Sequence, residues 1–213
     1  MPDQRFSGLA LIAGAIASII TMAFHPTGQQ LLAPGALHKT TQLAVAVHTL
    51  ALLSLPVLFI GAVGLSRRLL PASTLSLSAL VLYGFATVAV MNAAVLSGFV
   101  APTAARRIAE GESADLWQGL FYFTGVMNQS FALIFVAASS TAILLWSIAV
   151  LKTTFPARGI AIYGCVVAPL TILLVVVGHI RLDVHGFGLI MLAQAIWLIA
   201  AGVQLVRSNQ PTS

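Results

Sequence analysis

Five histidines, five acidic residues and one cysteine carry nearly all the acid–base and metal-ligating chemistry available to this 213-residue chain. Two of the histidines fall in a short polar stretch, residues 178–186, set between long apolar runs. There His179, Asp183 and His185 offer nitrogen, oxygen and nitrogen donors within seven residues. Neutral imidazole is the commonest metal ligand, so a turn gathering these three, with His25 or His38 completing the shell, is a candidate transition-metal site. The spacing matches no HExxH helix, no paired-cysteine zinc pattern and no EF-hand. Histidines beside Arg181 and Asp183 also serve simply as solvated loop residues. A bis-histidine haem requires two imidazoles at matching depth on facing helices. Only His48 lies deep inside an apolar run, so a haem would have to pair unequal depths.

A second group of polar side chains lies within the apolar runs: His48, Asn92, Asn128, Gln129 and Gln194. Counted from the end of the chain's crossings that bears the polar stretch, His48, Asn92, Asn128 and Gln194 fall about 10–16 Å deep at about 1.5 Å per residue. Four polar groups on four helices would then share one layer. In hydrocarbon such groups face the bundle interior, where they bond to one another or line a wet cavity. A cavity lined by these five residues is the candidate ligand-binding site. The plainer alternative is interhelical glue, worth about 0.6 kcal/mol per bond. Intramembrane hydrolysis lacks its parts, because no GxSxG elbow is present and no acidic residue lies within an apolar run. Proton-coupled pumping has only His48 to offer.

The elements that must position these groups are set by composition. The chain is 59% hydrophobic and 7% charged, against about 25% charged in soluble domains. Every charge falls at the end of an apolar run or between two. The runs at about 8–24, 41–65, 75–100, 158–178 and 186–206 each have the length of a spanning helix, about 20 residues. Residues 117–151 are longer than one span needs, and read either as one projecting helix or as an interfacial segment, 117–127, followed by a span. Pro26, Gly28, Pro34 and Gly35 predict a loop, residues 102–115 the longest polar connection, and Pro56 and Pro169 bends in the second and fifth helices. Continuous apolarity excludes a transmembrane β-barrel. The expected fold is an all-α bundle of six transmembrane helices in one domain, 1–213, with both termini on the same side and the first apolar run retained as a helix.

The formal charge of +5 is spread in pairs and singles beside helix ends, which is a topology signature and not a nucleic-acid surface. One set of connections carries Arg5, Arg67, Arg68, Lys152, Arg158 and Arg207, the other Lys39, Arg106, Arg107 and Arg181. Six against four favours both termini in the cytoplasm and the histidine-bearing connections outside, in the plasma (inner) membrane. Cys165 sits mid-run and has no partner for a disulfide. Three functions follow as expectations: a protein that binds or transports a small molecule in an outward-facing polar cavity, a metal- or haem-dependent membrane oxidoreductase, or a structural or accessory subunit without a site of its own, in an oligomer or with a partner subunit.

Overall fold

The computed structural model describes residues 4–33, 35, 37–111, 113–153 and 158–208. Pro34, read above as a loop residue, and the charged Asp3 and Glu112 lie outside the described residues. Among the described residues every regular element is helical. In order come α1 (Gln4–Ala23), the short α2 (Gly28–Leu31), α3 (Leu37–Leu69) and α4 (Leu75–Val95). A π-helical turn, Leu96–Val100, then leads into α5 (Ala101–Ala109), followed by α6 (Ala114–Leu151), α7 (Arg158–Val176) and α8 (Val184–Arg207).

Six helices are long and apolar enough to cross a membrane, α4, the π turn and α5 counting as one, Leu75–Ala109. Large apolar side chains point away from the bundle, with Leu53 69% and Phe85 65% exposed. Such a surface belongs in lipid, and helices satisfy their backbone there without water. The chain is an integral membrane protein in contact with the bilayer. Ser208 Oγ donates to Gln4 Oε1 at 3.0 Å, which brings the two ends of the described chain to one end of the bundle.

One boundary differs from the sequence expectation, and one alternative left open there is resolved. Residues 101–109 form a helix, not a loop: they continue without a break from the π turn, with Pro102 in the first turn of α5 and Arg106 and Arg107 in its last. Residues 114–151 form one unbroken helix, about 57 Å long at about 1.5 Å per residue. That exceeds a hydrocarbon layer of about 30 Å, and its first half carries exposed Tyr122 and Phe123.

Small residues fix the register of α1 against α3. A side chain at Gly64 would collide with Ser7, one at Gly61 would meet Leu11 N at 2.7 Å, and one at Gly14 would meet Leu58 Cβ at 2.8 Å. Steps of four and three residues forward along α1 are matched by steps of three and three back along α3, as antiparallel helices in close contact require. Continued upward, this register brings the end of α1 level with His48.

The terminal half of the bundle is closed. Trp146 Nε1 donates to Ser66 Oγ at 2.9 Å and Trp197 Nε1 to Ser147 Oγ at 3.0 Å. The two indoles stack at 5.9 Å between centroids, and Tyr83 lies 5.2 Å from Trp146. Gly164 leaves room for Ser147 and Trp197, so α7 packs against this core.

Candidate functional site

The opposite half is open. A cavity of about 570 Å³ lies between α1, α3, α4, α6 and α8, and α7 contributes nothing to its lining. Its walls are mostly apolar, with Leu55, Leu58, Phe121, Phe135, Phe187 and Met191 among them. The polar lining includes His25, His48, Asn128, Gln129, Asp183, His185 and Gln194.

His48 is buried in α3, and its Nδ1 lies 2.6 Å from the Ala44 carbonyl one turn earlier. The ring backs onto Gly98 in the π turn, where an added Cβ would collide with His48 Cβ. A π turn inserts a residue into the helix and shifts its face, and such turns concentrate at functional sites. His25 follows the last turn of α1. Its Nδ1 lies 2.8 Å from the Pro26 carbonyl, and burial pushes its pKa below the ordinary imidazole value, with the Pro26 contact opposing. The loop that carries it is pinned by a capping box: Thr27 Oγ1 accepts from Gln30 N, and Gln30 Oε1 accepts from Thr27 N at 2.8 Å. The two rings meet edge to face, with Nε2 to Nε2 3.0 Å and centroids 4.6 Å apart.

The other residues of the sequence reading are distributed unevenly. Asn128 lines the cavity, and Gln129 lines it while donating through Nε2 to the Leu182 carbonyl at 2.8 Å. Gln194 lines it too, but its amide nitrogen is held by Ser139 Oγ at 2.8 Å and Ser140 Oγ at 3.2 Å. Asn92 is exposed and donates to Val88 O on its own helix, so it is absent from the shared layer. Rotation about the helix axis, unreadable from depth alone, removes it.

The metal set His25, His38, His179, Asp183 and His185 is not assembled. Among the described residues no three His, Cys, Asp or Glu side chains stand close enough together to hold an ion. Asp183 is the N-cap of α8, its Oδ1 accepting from His185 N at 3.1 Å and Gly186 N at 2.9 Å. That cap sends the chain into the helix and leaves His179 and His185 exposed on either side of it. His38 is exposed at the start of α3 and does not line the cavity. His185 remains beside His25, since the two share a second recess between the ends of α1 and α8.

The pairing of His25 with His48 was missed by counting depth on each helix separately. The signal that could have found it is the small-residue register of Ser7, Gly14, Gly61 and Gly64. No protein-family model, curated protein or solved structure matches the chain.

Proposed function

We propose that this protein binds a small, largely apolar organic molecule in the cavity above the tryptophan core and presents it to, or takes it from, one face of the membrane. The observation that carries this reading is the open-mouthed cavity of about 570 Å³ with apolar walls and a few convergent polar groups, the usual anatomy of a small-molecule site. His25, His48, Asn128 and Gln129 would orient the ligand's polar end, while Phe121, Phe135 and Met191 hold its apolar body. Gln194 is chiefly packing, because serines hold its amide. The bias of basic residues supports an outward-facing cavity in the plasma membrane with both termini cytoplasmic.

The test is occupancy by an environment-sensitive naphthalene dye added to the purified protein in detergent. Ala93, buried at 8% exposure on the cavity wall, is changed to Trp to fill the volume. Dye emission should blue-shift with the unaltered protein and lose most of that shift with Ala93→Trp, while Val88→Trp on the lipid side keeps it. Equal shifts in all three proteins would refute the reading.

A second reading, a metal-dependent membrane oxidoreductase, is favoured by one observation, the imidazole contact of His25 and His48. Haem does not suit that pair. Iron between two opposed imidazoles needs about 4 Å between the nitrogens, twice a metal–imidazole bond of about 2.0 Å, and these lie 3.0 Å apart.

A further inference from the structure

The contact between His25 and His48 has a proton count that neutral imidazoles cannot satisfy. Each Nδ1 faces a carbonyl, at Pro26 and at Ala44, and a carbonyl only accepts, so both Nδ1 atoms carry hydrogen. A neutral imidazole has one N–H. Both Nε2 atoms therefore present lone pairs, 3.0 Å apart, and something positive must lie between them.

A divalent transition ion meets that requirement as a proton does, because neutral imidazole is the commonest metal ligand and the affinity of nitrogen sites for first-row divalent ions peaks at copper(II). The 3.0 Å between the nitrogens is about the separation of two imidazole donors adjacent on one ion at about 2.0–2.1 Å each.

We infer that His25 and His48 form a two-histidine site for a divalent first-row transition ion, copper(II) foremost, at the wall of the cavity. The surroundings are those of a ligand pair. Metal-bound histidines commonly donate their second N–H to a backbone carbonyl, which fixes tautomer and ring orientation, and both rings here are so held. Gly98 and the π turn back His48, the Thr27–Gln30 capping box holds the His25 loop, and Asp183 is the acidic residue in the lining of the same cavity. The remaining coordination positions face the cavity, open to water or to a ligand's donor atom. The site goes beyond organic-ligand binding and does not require it.

The full-length protein in detergent, stripped with a chelator, is titrated with Cu2+ against a glycine competitor that suppresses weak surface sites, with no organic ligand present. One equivalent should bind, with nitrogen hyperfine splitting in the paramagnetic resonance spectrum. Affinity should fall at least 100-fold in His48→Ala and in His25→Ala and stay within twofold in His38→Ala and His179→Ala. His25 is a half-buried loop residue, so its variant keeps the test intact if His48→Ala does not fold. No bound equivalent, or equal affinity in folded His25→Ala, overturns the site and leaves a shared proton as the bridge.

Discussion

The two halves of this bundle treat buried polar groups in opposite ways. In the terminal half the indole N–H groups of Trp146 and Trp197 are each spent on one serine hydroxyl, and glycines let the helices close around them. In the other half two imidazoles point their free nitrogens at one another beside a cavity. Hydrogen bonds between membrane helices contribute only about 0.6 kcal/mol each on average, so polar residues alone do not mark function. What separates the halves is whether the polar atoms balance. Donors meet acceptors around the tryptophans, whereas acceptor meets acceptor at the histidines.

The largest effect should come from breaking the closed half. Trp197→Ala removes a fully buried indole together with its bond to Ser147. A loss of about 3–5 kcal/mol is expected for such a truncation, read as the denaturant midpoint in mixed micelles. A loss below about 1 kcal/mol would mean that this half is not the stabilising core.

Substitution at Gly98 acts on the boundary between α3 and the π turn. The Gly98→Ala methyl collides with His48, and overpacking of this kind costs about 1–3 kcal/mol. The same change should move the His48 ring away from His25 and weaken copper binding, whereas Gly164→Ala, overpacked in the closed half, should cost stability and leave copper affinity alone. Equal effects of the two on copper would erase the distinction between the halves.

The smallest effects separate polar residues within the open half. Gln129→Ala should cost about 0.6 kcal/mol, a typical interhelical bond in a membrane protein, because its amide ties α6 to the Leu182 carbonyl. Asn92→Ala should change stability by less than about 0.5 kcal/mol, as surface substitutions do. Thermal unfolding in detergent ranks the pair, and a larger loss at Asn92 would contradict its placement outside the cavity.

Much of this architecture was legible in the sequence because hydropathy alone dictates spanning helices. The six spans and the shared end of the termini needed only apolar runs and their parity. The helix at 101–109 was not, since Pro102 and the charges after it read as a break, although the helix runs on from the π turn past Pro102 and Arg106 pairs with Glu110 at 3.8 Å along one face. The polar layer was half legible. His48, Asn128 and Gln194 line the cavity, but depth carries no rotation, and Asn92 turned outward. The histidine pair was hidden for a third reason. It depends on the register between two helices, which small residues encode only once it is known that α1 and α3 touch.

The most direct test compares solvent access to the two halves. In a Cys165→Ser background, Ala51→Cys at the cavity and Ala149→Cys in the closed half are challenged in sealed, oriented vesicles with a membrane-impermeant maleimide. Ala51→Cys should react from the face opposite the termini and Ala149→Cys from neither. If Ala51→Cys is as inert as Ala149→Cys, no water-filled chamber reaches the histidines.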